Sequence, residues 1–260
     1  MKMLDSKIII VSALITAIVG CGSDSGTTTT VTENVNNVAK SADECFSQSL
    51  YQVGEYYVEY NYKGGTTVGT TQKNIEIKQL ADKYGANQIE MKTIYGGSMG
   101  SQTDKLLIWP TLGWVELTER ELIQIDAPQI TTIKFDTLLS MKLGLFSLLE
   151  GEIQRFSVSY DSEAYTLGSP PKSETIDFKQ KITFVGFKDI NINGVEYNTC
   201  HIIDEQVYDA GTLISQVFYQ SNTGLPLKKI NVTKDKDGKI VGEEEETLKS
   251  YKFNGTELLN

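Results

Sequence analysis

Histidine is nearly absent from this chain: His201 is the only one in 260 residues. A zinc site of His/Cys type needs three or four such ligands. With three cysteines and no C-x-x-C pair, the sequence offers no transition-metal cluster, and no cofactor is expected. Basic residues are also scarce, 24 Lys+Arg against 34 Asp+Glu, for a net charge of −10. So acidic a chain is a poor partner for nucleic acid or for an anionic lipid surface. Long apolar runs are missing too. Apart from Ile8 to Gly20, no segment approaches the ~20 apolar residues that a membrane-spanning helix needs.

That one run is informative. Met1 to Lys7 carries Lys2 and Lys7, and Ile8 to Gly20 follows without a charge. This is the length of a secretory hydrophobic core, roughly 7–15 residues, and too short to span. It closes on Ile18-Val19-Gly20-Cys21, which resembles the lipobox of bacterial lipoproteins. The resemblance implies that the Cys21 sulfur receives a diacylglycerol, that cleavage falls before it, and that the new amino group takes a further acyl chain such as palmitate. Two or more chains give stable anchoring where one is marginal. By the same resemblance, Gly22 in place of aspartate favours the outer membrane over inner-membrane retention.

Three segments follow: a signal peptide at 1–20, lipidated Cys21 with a flexible tether at 21–42, and one β-rich extracytoplasmic domain at 43–260. The tether is read from low-complexity Ser, Thr, Gly and Asn, with Thr27-Thr28-Thr29-Thr30 at its centre. Its flexible-chain reach is on the order of 25 Å. Without residues 1–20 the chain has 240 residues and a charge of −11, enough for a real core. Cys45 and Cys200 remain as an even pair. Outside the cytoplasm they read as a disulfide, with two free buried thiols or a reactive Cys200 as the rival accounts.

From Cys45 onward the period is two. Tyr56, Val58, Tyr60 and Tyr62 alternate with Tyr57, Glu59 and Asn61, and Ile75/Ile77 and Ile89/Met91/Thr93 repeat the pattern. Ile182 to Ile192 leads into Asn193-Gly194, the strongest short hairpin signal, and a return strand runs from Val195 to Ile203. Further turns are expected at Asp209-Ala210-Gly211, at Asn222-Thr223-Gly224 and, of type I′, at Asp237-Gly238. Short turns between successive strands predict a mainly β fold: a curved antiparallel meander, half-barrel or open barrel-like, with at most one or two short helices. Residues 136–150 stand apart as a buried helix or an irregular apolar connection, with a seam near 140–170.

Candidate chemistry is thin. Gly96-Gly97-Ser98-Met99-Gly100 fits G-x-S-x-G, but a nucleophile elbow needs a strand, a turn and a helix, and here a second strand follows. Cys200 and His201 are adjacent in a strand and point to opposite faces, so they form no dyad. Asp235-Lys236-Asp237-Gly238 lacks the later ligands of a calcium loop. Glu243 to Glu246 reads as a solvated strand edge. The tyrosines from 51 to 62, with Trp109 and Trp114, fit a β-sheet core better than a stacking platform for sugar or peptide. No catalytic residue is named.

Beyond the lipobox, Phe184-Val185-Gly186-Phe187, Asn193-Gly194-Val195-Glu196-Tyr197-Asn198-Thr199-Cys200, Gly224-Leu225-Pro226-Leu227 and Cys45-Phe46 resemble a pattern in uncharacterised β-rich envelope lipoproteins. A more distant likeness is to the half-barrels of lipoprotein carrier and receptor proteins. The resemblance implies a curved antiparallel sheet. The expectation is a non-enzymatic, lipid-anchored envelope protein that contacts the membrane through its N-terminal lipid. Its concave sheet face would bind a protein, glycan or lipidic ligand. An envelope hydrolase using acidic residues and a purely structural surface protein are the alternatives.

Overall fold

The computed structural model describes residues 40–45, 47–82, 85–96, 100–109, 114–125, 129–135 and 148–258. Residues 1–39, which hold the signal, Cys21 and most of the tether, residues 97–99 of the glycine-rich motif, residues 136–147 of the ambiguous apolar segment, and the side chains of Trp109 and Trp114 lie outside the described residues.

Among the described residues, thirteen strands follow one another as antiparallel neighbours. They are β1 (Gly54–Gly64), β2 (Thr67–Gln79), β3 (Asn87–Tyr95), β4 (Ser101–Trp109), β5 (Trp114–Gln124), β6 (Gln129–Phe135), β7 (Ile153–Thr166), β8 (Lys172–Ile192), β9 (Val195–Tyr208), β10 (Gly211–Gln220), β11 (Pro226–Asp235), β12 (Ile240–Phe253) and the short β13 (Thr256–Glu257). The expected curved meander forms, and it closes. β1 pairs with β12 from Tyr56 opposite Phe253 to Gly64 opposite Glu244. β6 pairs with β7 from Gln129 opposite Thr166 to Phe135 opposite Tyr160, so the sheet has no seam between them.

The period-two pattern explains the wall. Tyr56, Val58 and Tyr60 on β1 and Phe178, Gln180, Ile182 and Phe184 on β8 are buried at alternate positions. Bulges at Glu59/Tyr60, Lys105/Leu106, Phe184–Gly186, Phe218/Tyr219 and Thr233/Lys234 add the local twist that closure requires.

Two hairpins turn as their sequences demand. Asn193-Gly194 and Asn254-Gly255 each have positive φ at both residues, the type I′ requirement. Asp237-Gly238 does not. Only Gly238 has positive φ, and Gly238 N donates to Asp235 O while Asp235 Oδ1 accepts from Asp237 N and Lys239 N. The aspartate side chain organises a longer loop there, which corrects the type I′ expectation.

One end of the barrel is plugged. Two 3₁₀ turns, Ala42–Cys45 and Gln48–Tyr51, lie across it. Ala42 N donates to Leu148 O, Ser41 bridges Leu149, and Asn222 N donates to Glu44 O. Among the described residues, contacts with the barrel begin at Lys40, whose carbonyl oxygen accepts from Glu150 N at 3.1 Å and whose ammonium lies over the Phe187 ring. Cys45 and Cys200, both fully buried, form a disulfide with Cα atoms 6.1 Å apart. No helix among the described residues is long and apolar enough to cross a membrane.

Candidate functional site in the barrel interior

Inward positions change character along the strands. Toward the plug they are apolar: Val58, Ile77, Ile89, Leu106, Leu117, Ile202, Leu227 and Leu248 are all buried. Toward the far end the same faces continue as Lys73 on β2, Tyr95 on β3, Asp104 on β4, Arg120 on β5, Asp204 and Gln206 on β9, Lys229 and Asn231 on β11, and Glu246 on β12. A polar ring thus lies above an apolar floor inside one barrel.

Its members are tied into two chains. In the first, Arg120, only 1% exposed, donates through Nε to Asp104 Oδ1 (2.6 Å) and through Nη2 to Oδ2 (2.9 Å). Gln102 Nε2 donates to the same carboxylate at 2.7 Å, and the Tyr95 hydroxyl donates to Gln102 Oε1 at 3.1 Å. Tyr95 stands opposite Lys73, whose ammonium sits over the Tyr60 ring and pairs with Glu246 at 3.3 Å. Thr71 Oγ1 also donates to Glu246. In the second chain, Asp204 accepts from Gln180 Nε2 (2.8 Å) and Gln206 Nε2 (2.9 Å), and the Tyr208 hydroxyl donates to Gln206 Oε1 (2.7 Å).

Water reaches this ring. The side chains of Lys73 and Glu246 keep 22% and 17% of their accessible surface, and Asp204 and Lys229 are half-buried. Burial nevertheless dominates the titration of Asp204 and Lys229. It raises Asp204 to about 6, against the pull of its two glutamine donors and Lys229. It lowers Lys229 to about 8, with Glu246, Glu244 and Asp204 acting in the opposite direction. Burial also lifts the Tyr95 hydroxyl to about 12.

The outer wall is built differently. Lys105–Glu119, Lys181–Glu205, Lys228–Glu245 and Lys249–Glu59 pair across adjacent strands on its surface. Charges at such positions suit water and would be costly against hydrocarbon. A shallow outer cleft of about 470 Å³ lies over β6 to β8, among Lys134, Asp161, Glu163 and Thr175. Thr175 Oγ1 already donates to Asp161 there.

The sequence-level candidates fall as follows. His201 faces outward, stacked on Phe218 at 4.3 Å and joined to Gln216 Oε1 at 3.1 Å, on the opposite side of β9 from Cys200. Gly96 and Gly100 serve the hairpin between β3 and β4: Gly96 N donates to Gln72 O, and a Cβ on Gly100 would collide with the Ile123 carbonyl oxygen. Tyr56 and Tyr60 are core residues, Tyr56 packing on Tyr251 and Phe253. Glu243 to Glu246 is not a solvated edge. β12 is paired on both sides, Glu246 turns inward to Lys73, and Glu245 turns outward to Lys228. The residues of the polar ring were missed. Their signal was parity: Asp204, Gln206 and Tyr208 continue the face that Cys200 and Ile202 begin.

No family model matches the chain, and no curated protein matches it. Two solved structures do. One is the hypothetical lipoprotein YmcC from Escherichia coli, with 9% identity and a TM-score of 0.35 over 78% of this chain and 89% of that one. The other is a candidate lipoprotein from Parabacteroides distasonis, with 9% identity and a TM-score of 0.41 over 78% of this chain and 96% of that one. At these scores the likeness is one of partial backbone course.

Proposed function

We propose that this chain is a lipid-anchored envelope protein whose barrel binds a polar ligand at the polar ring of its inner face without transforming it. Cys21, after Ile18-Val19-Gly20, is the anchoring residue. Gly22 behind it favours the outer membrane. One observation carries the binding reading: the inward Asp204 and Lys229 are reached by water, and neither forms an ion pair among the described residues. Groups that only held the fold together would be paired off, as Asp104 is with Arg120 and Glu246 with Lys73. The non-catalytic reading rests on Asp104 and Glu246, which are held by cations: Asp204 alone of the ring's carboxylates stays unpaired among the described residues, and hydrolysis by acidic residues needs two.

Two measurements test this. Expression in a bacterial host with labelled palmitate would place the label in the chain, and Cys21→Ser would abolish it. A thermal-shift screen of small polar compounds would yield at least one whose stabilisation is lost in both Asp204→Asn and Lys229→Met. Unlabelled wild-type protein refutes the anchor. A screen in which every active compound also stabilises both variants refutes binding at the ring.

A further inference from the structure

Asp204 and Lys229 have opposite charge, share the interior, and do not meet. Asp204 stands opposite Ser215, Ser215 stands opposite Asn231, and Lys229 lies two residues along β11 on the same face. β10 separates their strands, so the two backbones are roughly 10 Å apart. Both groups retain binding capacity. Each Asp204 oxygen accepts one glutamine N–H and has room for another donor. The Lys229 ammonium makes no hydrogen bond or ion pair among the described residues, although Glu246, Glu244, Asp204 and Lys73 all act on it electrostatically.

This arrangement discriminates between ligands by charge. A simple anion drawn to Lys229 would sit in the field of Asp204, Glu246 and Glu244. A simple cation drawn to Asp204 would sit in that of Lys229. A molecule carrying both charges a few bonds apart escapes both penalties, because each end meets its opposite and is displaced from its like. The Ser215 and Tyr208 hydroxyls stand beside this path, with Val217 below.

We infer that the polar ring binds a small zwitterion, its ammonium on Asp204 and its phosphate or carboxylate on Lys229. This rests on the reading of the barrel as a binding protein and adds the class of ligand. The same chemistry is offered by a free aminoalkyl phosphate and by a phosphatidylethanolamine headgroup.

Calorimetry on the full chain carrying Cys21→Ser tests the inference, with O-phosphoethanolamine as the probe and ethanolamine and inorganic phosphate as its separate halves. The zwitterion should bind at least about tenfold more tightly than either half, the difference expected from one additional charge-assisted hydrogen bond. Asp204→Asn and Lys229→Met should each erase that advantage by about the same factor, while Lys229→Arg keeps it. Phosphatidylethanolamine vesicles that compete with the soluble probe identify a headgroup ligand, and probe binding without such competition identifies a free one. The inference is overturned if either half binds as tightly as the whole, or if no heat is seen up to about 10 mM. The wild-type comparison decides even where a variant fails to fold. Should the probe fail while another compound binds through Asp204 and Lys229, the binding reading stands and only the ligand class falls.

Discussion

Removing the disulfide by Cys45→Ala/Cys200→Ala should destabilise the barrel severely, and the size of the loss follows from its position. The two cysteines are 155 residues apart, so the bond closes a loop containing most of the sheet. In the chain-entropy account a loop of that length is worth about 5 kcal/mol, all of it through restriction of the unfolded chain. For a domain of this size that corresponds to a fall in Tm of about 10–20 °C. Reduced wild-type protein separates the cross-link from the lost sulfur volume, since it keeps both buried side chains. The assay is urea unfolding of oxidised, reduced and double-alanine protein, followed by tyrosine fluorescence and far-UV circular dichroism. Reduced and double-alanine forms should lie within about 1 kcal/mol of each other and well below the oxidised form. A total loss under about 1 kcal/mol would refute the reasoning. It would mean that the plug, held by Ala42 N to Leu148 O and Asn222 N to Glu44 O, detaches without the barrel opening.

Three further outcomes are expected. Asp204 titrates near 6 in the fold against 3.8 unfolded, so burial costs nothing below about pH 4, and the cost grows as pH rises through 6. Asp204→Asn should therefore stabilise by about 1–2 kcal/mol at pH 8 and by almost nothing at pH 4, with Gln180 free to turn its unpartnered Oε1 toward the new amide. Equal gains at both pH values in urea melts would contradict this. Asp104→Ala leaves the Arg120 cation buried and uncompensated, and should cost about 3–5 kcal/mol in chemical denaturation. Most of that should return in Asp104→Leu/Arg120→Met, and a double variant no better than the single would count against the account. Gly100→Ala combines φ of +103 with a backbone collision at Ile123, and should lower stability by more than about 2 kcal/mol, whereas Gly85→Ala, where a Cβ meets nothing within 4 Å, should cost less by the same assay.

What the sequence revealed was local. Asn193-Gly194 announces its hairpin because two adjacent residues must both take positive φ, and few pairs other than Asn-Gly do so cheaply. The disulfide followed from counting, once Cys21 had another role. Closure was not legible, because the pairing of Tyr56 with Phe253 joins residues almost a chain length apart and leaves no periodic trace. The acidic run was misread for the same reason: without β1 beside it, Glu246 looks like a surface charge, and only closure turns it onto Lys73. The polar ring was half-legible. Leu227, Lys229 and Asn231 share a face by simple alternation, yet a charge at an inward position reads as outward until the strand's partners are known.

The seam between β1 and β12 also sets a schedule for assembly. Until the strand beginning at Ile240 arrives, β1 and β11 both present unpaired edges, and the long-range contacts that lock the barrel are unavailable. The last long strand, β12, supplies both missing pairings at once, so closure of the whole wall waits on residues 240–253.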